Sequence, residues 1–399
     1  MNNNISRGMV WLLATACGLI VANLYYAQTL VGPISAATGL DREAAGLIVT
    51  LTQLGYCLGL LFIVPLGDLL ENRRVVFIGL LATAVALLVA AFASHAWTFL
   101  GAALGIGIGS VAAQILVPFA AHLSHEATRG QTVGKVVSGL LIGIMLARPA
   151  ASLVADHFGW RAIFVGAAIA MFALAFVLRA RLPLRVPSAG LAYPRLLASM
   201  WQLFLTTPVV RRRAAYHAGM FGAFSLFWTT VPMQLAGAGF GMSQTGIAIF
   251  ALVGMAGAIA SPVAGKLADS GHTRAATTAA LLLGVASFAL PLVMPGAGKL
   301  ALAALVVASI VLDMGVAANL VLGQRAIFGL DAGVRARLNG IYFALLFAGG
   351  AAGSAVGAWV YASHGWHTTL ALGMLFPALA LLHQGSEYLR FPLAGRRGV

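Results

Sequence analysis

Apolar stretches follow one another from end to end of the chain. Each is about the length of one membrane crossing, and each is closed by charged, glycine or proline positions. Twelve spans are predicted, at approximately 9–32, 44–66, 75–94, 98–122, 133–155, 161–180, 213–236, 244–266, 275–295, 300–323, 338–360 and 367–389. No strand-like alternation recurs at the roughly 10-residue period of a membrane barrel. Lipid offers no partner for unpaired backbone groups, so the spans are expected to be helices.

The pattern breaks once, between 181 and 212, where Pro183, Pro187 and Pro194 sit among basic residues. The chain is therefore divided into an N-terminal six-helix bundle (1–180), a cytoplasmic basic linker (181–212) and a C-terminal six-helix bundle (213–399). Within the linker, PRLLASMWQLFL repeats Leu196, Leu197, Met200, Trp201 and Phe204 at helical spacing, as a helix lying in the membrane interface would.

The two halves repeat. A shift of 206 residues superposes Gly159-Trp160 on Gly365-Trp366, and Gly143, Ala147 and Ala151 on Gly349, Gly353 and Gly357. VAAQ (111–114) corresponds to VAAN (316–319). The expected fold class is an all-α polytopic membrane protein, its twelve transmembrane helices forming two pseudo-two-fold related six-helix bundles. In transporters a site between repeats lies near the bilayer midplane. Small residues four apart let helix backbones approach, which suits helices that rock against each other and equally suits static packing.

Composition agrees. Of 399 residues, 61% are hydrophobic and 9% charged, against about 25% charged in soluble domains. The formal net charge of +14 does not indicate nucleic acid. With the N-terminus in the cytoplasm, almost all basic residues fall at one face and only Arg42, Arg161 and Lys299 at the other, which is the positive-inside rule. Both termini are expected in the cytoplasm of a multi-pass protein. Cys17 and Cys57 lie inside spans and read as small buried hydrophobes.

GDLLENRR (67–74) stands between spans two and three, and GKLADSGHTR (265–274) at the matching junction of the second half. With the six-plus-six repeat and both Gly-Trp pairs, these loops resemble the signature of the major facilitator superfamily. The opening ANLYYAQTL further resembles its twelve-span bacterial drug:proton antiporter (efflux) type, which implies the bacterial inner membrane. The resemblance implies a conformational latch at Gly67, Glu71, Arg73, Arg74, Gly265, Asp269 and Arg274. Physically, Gly67 and Gly265 would end helices with close backbone approach, and Glu71 and Asp269 would set carboxylates at helix N-termini. Antiporters of this type carry an arginine in the fourth helix and a Gly-Pro pair in the fifth. Here 98–122 holds no Arg or Lys, and Ala147-Arg148-Pro149 occupies the latter region.

Arg148 and Asp313 are read as the ionisable residues well inside spans. A charge at the bilayer centre costs about 2.5–3.5 kcal/mol on insertion scales, so such residues face the protein interior and pair. They are expected to share a central cavity as the proton- and charge-coupling pair. Burial and a neighbouring guanidinium act on a carboxylate in opposite senses, so a shift of that balance would let Asp313 take and release a proton. Alternatively Arg148 is structural, its guanidinium satisfying the helix carbonyl that Pro149 frees. By resemblance the first, fourth, seventh and tenth helices line the cavity, with Asn23, Tyr26, Gln114, Phe224, Trp228 and Asn319 as substrate-binding candidates. An aromatic, sparsely polar cavity suits an amphipathic or hydrophobic compound, and an aromatic pair favours a cation.

The leading expectation is proton-coupled efflux of such a compound by alternating access; a facilitator or proton symporter importing a small metabolite is the alternative. A membrane enzyme is disfavoured: HLSHE (122–126) lacks the HExxH order of a zinc helix. No GxxxxGK[ST] appears, so a nucleotide-driven pump is disfavoured too. The expected partners are membrane lipid, a small-molecule substrate and protons as coupling ion, with no nucleic acid, no metal and no cofactor. The chain is expected to act as a monomer.

Overall fold

The computed structural model describes residues 5–125, 128–185, 192–294, 296–331 and 334–390. Among these residues regular structure is helical throughout, with no strand. Ser6 opens α1 (Arg7–Ala22), its hydroxyl accepting from the Met9 amide. A turn and a short 3-10 segment, Tyr26–Thr29, lead to α2 (Val31–Thr38). Then come α3 (Leu47–Phe62), a 3-10 segment Val64–Asp68, and α4 (Asn72–Phe92). The fourth predicted span is two helices, α5 (Ala96–Ser110) and α6 (Ala112–Leu123), parted at Val111. α7 (Arg129–Phe158), α8 (Trp160–Arg181), α9 (Tyr193–Thr206) and α10 (Pro208–Ala236) follow. The eighth is broken into α11 (Gln244–Gly254), a 3-10 segment Met255–Ile259 and α12 (Ala260–Asp269). α13 (Thr273–Val293), α14 (Lys299–Phe328) and α15 (Arg335–Arg390) complete the order.

Ten of these helical stretches are long and apolar enough to cross a membrane. α10 is not among them although it has 29 residues. Tyr216, His217, Trp228, Thr229 and Thr230 dilute its apolar character, and every residue from Met220 to Pro232 is buried. A helix enclosed by protein on all sides meets no lipid, so it is free to carry polar groups. In α15 the loop expected between 360 and 367 contracts to one residue: Gly365, at φ 77°, kinks an otherwise continuous helix. Gly159, at φ 80°, makes the same bend between α7 and α8. A positive φ is open to glycine at little cost, which explains why both Gly-Trp pairs begin with it.

The small-residue ladders join helices on the same side of the 181–212 linker. A side chain at Gly139 or Gly143 of α7 would overlap the α1 backbone at Ala14 or Gly18. Equally, one at Gly349 or Gly353 of α15 would overlap the α10 backbone at Ala218 or Gly222. The same backbone-to-backbone seam is thus made twice. It is a fixed packing contact inside each half, not a surface between halves.

Helices from opposite sides of the linker meet along α3 with α15 and α7 with α11. Thr50 Oγ1 lies 2.8 Å from Ser354 Oγ and donates to the Ala351 carbonyl at 3.2 Å, while Gly46 abuts Ser354 and Ala358. Thr245 hydrogen-bonds the Asp156 carboxylate. These contacts close the face that carries few basic residues. α9 forms where the spacing predicts. It buries Leu196 and Met200 and leaves Trp201 exposed. Tyr193 donates its hydroxyl to the Phe62 carbonyl at 2.8 Å, and Arg337 Nη1 donates to Ser199 Oγ at 2.8 Å, so the helix straps α3 to α15.

If the ladder seam carries stability, Gly143→Ala will be destabilising by about 1–3 kcal/mol, the usual cost of overpacking. Gly166→Ala, where an added methyl meets nothing within 4 Å, will be neutral or stabilising through helix propensity. Thermal unfolding of the purified protein in detergent checks this; equal midpoints for the two variants would contradict the seam.

Candidate functional site

Arg148 projects from α7 and Asp313 from α14, and their side chains meet: Nη2 lies 3.8 Å from Oδ2. Arg148 is 3% exposed. Pro149 does not set the direction of the guanidinium, whose Nε and Nη1 have no protein partner. The Arg148 carbonyl accepts from Thr29 Oγ1 at 3.4 Å. On the far side Asp313 is admitted by Gly257, since a side chain there would come within 2.6 Å of the Asp313 Cβ.

Phe224 and Trp228, four residues apart on α10, present one face to this pair, as their spacing predicts. The guanidinium carbon sits 3.9 Å from the Trp228 ring centroid and 5.0 Å from that of Phe224. Trp228 Nε1 donates to Asp313 Oδ1 at 3.1 Å. One indole therefore holds both charges, the cation by its ring face and the carboxylate by its N–H. Coulomb attraction at this separation is strengthened by low local polarity, and the desolvation of both ions opposes it.

A cavity of about 520 Å³ lies at the arginine-rich face, lined by Gln114, Pro118, Asp68, Arg185, Arg335 and Arg337 among others. Gln114 is the substrate-binding candidate that borders it. Arg148 and Asp313 do not line this cavity, and a row of rings leads from it to them. Gln114 Nε2 donates to Tyr56 Oη at 3.0 Å. From Tyr56 the ring centroids run to Phe347 (4.5 Å), Phe221 (5.1 Å) and Phe224 (5.2 Å). Asn23, Tyr26, Phe224, Trp228 and Asn319 are buried and do not border the cavity. Asn23 has both amide atoms buried without a protein partner.

Asn319 turns away from the ion pair. Its Nδ2 lies 3.2 Å from His217 Nδ1, which is also 3.1 Å from Tyr342 Oη. His217 is 1% exposed and is a third ionisable group inside the helices that the sequence reading missed. Its signal is positional: it stands four residues before Phe221 and seven before Phe224, on the face of α10 that carries Trp228.

At the latch loops the geometry differs from expectation. Gly265 lies within α12 rather than at its end, and a side chain there would meet nothing within 4 Å. Gly67 does approach closely, its carbonyl accepting from Asn72 Nδ2 at 2.7 Å. Glu71 makes no capping hydrogen bond and pairs with Arg73 Nε at 3.1 Å, since the backbone turn brings Arg73 nearer than the α4 amides. Arg73 also donates to the Arg179 carbonyl at 3.4 Å, and Arg74 is exposed. Asp269 ends α12 instead of facing a helix N-terminus; it pairs with Arg325 of α14, which also donates to the Gly265 carbonyl at 2.6 Å. The Arg274 carbonyl accepts from Gln384 at 3.2 Å. Asp68, absent from the expected latch, faces Arg185 and Arg337 across the cavity. Glu126 of HLSHE, residues 186–191 of the linker and the tail arginines lie outside the described residues.

Comparison with known proteins agrees with this architecture. The family model of the Major Facilitator Superfamily matches residues 11–330, and the chain belongs to that superfamily: it is a multi-pass membrane transporter of that type. It is 39% identical to the uncharacterized transporter YgaY of Escherichia coli O157:H7 over 96% of each chain. It is 32% identical to the probable transporter SCO4007 of Streptomyces coelicolor, over 89% of this chain and 82% of that one. Among solved structures it resembles a bacterial homolog of the human lysosomal transporter Spinster in an inward-facing, occupied conformation. The TM-score is 0.72 at 14% identity, over 96% of this chain and 97% of that one. A point mutant of the nucleoside transporter NupG gives 0.69 at 15%, over 95% and 100%. Both likenesses show the fold alone.

Removing one member of a buried pair costs about 3–5 kcal/mol because the other charge is stranded. Asp313→Asn is therefore expected to destabilise more than Arg148→Gln, since a stranded carboxylate can neutralise itself with a proton and a guanidinium cannot. The Arg148→Gln/Asp313→Asn double variant is expected to recover much of the loss. Thermal unfolding midpoints of the purified variants decide it; an additive double variant would mean the two groups are not energetically coupled.

Proposed function

We propose that the chain is a proton-coupled secondary active transporter that moves a small amphipathic compound across the bacterial inner membrane by alternating access. Asp313 carries the proton and Arg148 is its internal counter-charge. The unit comprises twelve spans in two six-helix bundles, 1–180 and 213–399, joined by the cytoplasmic linker 181–212, with both termini in the cytoplasm. The single observation behind this reading is the buried ion pair under an indole, contributed by helices from both sides of the linker. Rocking of one bundle against the other would part α7 from α14 and change the partner of Asp313. The carboxylate then has reason to gain a proton in one state and lose it in the other.

Two couplings fit the pair. The likeness of ANLYYAQTL to drug:proton antiporters favours export in exchange for protons, with substrate and proton competing for Asp313. The absence of Arg and Lys from 98–122 and the electrical neutrality of the ion pair favour a second reading, movement of substrate together with protons. The latch residues Gly67, Glu71, Arg73, Arg74, Asp269 and Arg274 would hold the cytoplasmic ends in each state, joined by Asp68 and Arg325. Gln114, Phe224 and Trp228 would contact substrate as it passes the aromatic layer; Asn23, Tyr26 and Asn319 would do so as the bundles part.

Inside-out vesicles test the proton role. A panel of amphipathic cations, neutral compounds and permanently charged anions is added without an imposed pH gradient, and external pH is followed. External acidification with substrate entry means exchange; external alkalinisation means cotransport. Either is expected to vanish in Asp313→Asn. Proton movement undiminished in that variant would remove Asp313 as carrier, and compound accumulation with no proton movement would remove proton coupling.

The closed face gives a second test. In a background with Cys17 and Cys57 replaced, cysteines at positions 50 and 354, whose hydroxyl oxygens are 2.8 Å apart, are expected to cross-link on oxidation and stop transport until reduced. Full transport by the cross-linked protein would exclude opening along α3 and α15.

A further inference from the structure

The charge count of the site points to the substrate class. With Asp313 ionised, the Arg148–Asp313 pair sums to zero; with Asp313 protonated it is +1. Neither state is negative. A cationic substrate would have to displace the guanidinium from both the carboxylate and the two rings, and leave it buried with nothing to pair with. The aromatic face that would otherwise receive a cation is already covered by the protein's own guanidinium, 3.9 Å from the Trp228 centroid.

Arg148 is moreover poorly served where it stands. A guanidinium has five N–H donors in a planar fork suited to two-point recognition of a carboxylate or similar oxyanion. Here one nitrogen, Nη2, reaches Asp313 at 3.8 Å, and Nε and Nη1 are buried without a protein acceptor. Buried donors are almost always satisfied, so orphaned ones on a 3% exposed arginine need an explanation. The hydroxyl of Thr229, the residue after Trp228 on α10, is buried and unpartnered as well. Among the described residues Arg148 is the charged group acting on Asp313. α10 offers it the Trp228 N–H, the 3-10 segment Met255–Ile259 offers backbone at Gly257, and Tyr25 is the further titratable group beside the guanidinium. The approach is matched in sign, since Arg185, Arg335 and Arg337 stand against Asp68 around the cavity at the arginine-rich face. A cleft of one sign concentrates the opposite one.

We infer that the substrate is an amphipathic anion, whose acidic group replaces Asp313 as the partner of Arg148 once Asp313 has taken a proton, while its apolar part lies against Phe224 and Trp228. This rests on the proposed proton-carrying role of Asp313 and assigns the second coupling: anion and proton bind together. Protonation removes the competing carboxylate, so each favours the other, and by linkage the two effects are equal.

Three naphthalene compounds of similar shape and different charge test it: naphthalene-2-sulfonate, anionic at every relevant pH; 2-naphthalenemethanol; and (2-naphthylmethyl)trimethylammonium. Binding to the purified full chain in detergent is read from the thermal unfolding midpoint at about pH 5.5 and about pH 8. The expected result is stabilisation by the sulfonate, with affinity at least about fivefold tighter at the lower pH, and little effect of the other two. Asp313→Asn is expected to bind the sulfonate without pH dependence, and Arg148→Gln/Asp313→Asn not to bind it. Preference for the ammonium, sulfonate binding that survives loss of Arg148, or no shift with any of the three would each overturn the inference. Arg148-dependent binding of the sulfonate that ignores pH would support the anion class and fail the proton-carrier reading instead.

Discussion

A guanidinium withdrawn from water in a chain with so few charges requires a counter-charge nearby, and the centre of this protein is organised by that requirement. Arg148 and Asp313 lie 165 residues apart in sequence, on helices from opposite sides of the basic linker. Their meeting ties the two sides at the middle of the structure. Trp228 serves both charges, and Gly257 provides the clearance that brings Asp313 into position. In a low-dielectric interior such a contact is strong when made and costly when half-made. Helix motions that part α7 from α14 would strand both charges unless a proton or another ion took the lost partner's place, which is the physical basis of the proposed coupling.

The surrounding frame is held by close helix packing. Two glycine seams, α1 on α7 and α10 on α15, bring backbones together with no side chains between them. α3 meets α15 in part through hydroxyl contacts of Thr50 with Ala351 and Ser354. Across the linker Gly46 also lies close against the Ser354 backbone, so the contacts between the two sides combine a close glycine approach with polar side chains. The strap α9 crosses the same divide, Tyr193 at its start bonding α3 and Ser199 at its middle accepting from α15.

Between the cavity and the ion pair stands a stack of rings from both sides of the linker: Tyr56 from α3, Phe221 and Phe224 from α10, and Phe347 from α15. Rings exclude water at little polar cost, and in this layer the side-chain hydrogen bond is that of the Tyr56 hydroxyl, which accepts from Gln114. The layer explains why candidate lining residues such as Asn319 and Tyr26 are enclosed rather than open to the cavity. It also isolates the His217–Asn319–Tyr342 group as a separate polar cluster.

Span-by-span helicity was legible in the chain itself, because lipid permits no unpaired backbone and apolar length is a one-dimensional quantity. The linker helix and the face shared by Phe224 and Trp228 were readable for the same reason: each depends on residues close together in sequence. The repeated Gly-Trp pairs were visible, but not that each glycine bends an almost continuous helix. The presence of Arg148 and Asp313 inside spans was equally plain, as was the small-residue spacing of the ladders. What only the tertiary structure decided is which partner each of these meets. It assigned the ladders to seams within each side, directed Arg148 to Asp313 and not to the carbonyl freed by Pro149, gave Arg325 to Asp269, and turned Asn319 toward His217. Those choices depend on helix rotation and on distances between segments from 56 to 165 residues apart, which no local pattern encodes.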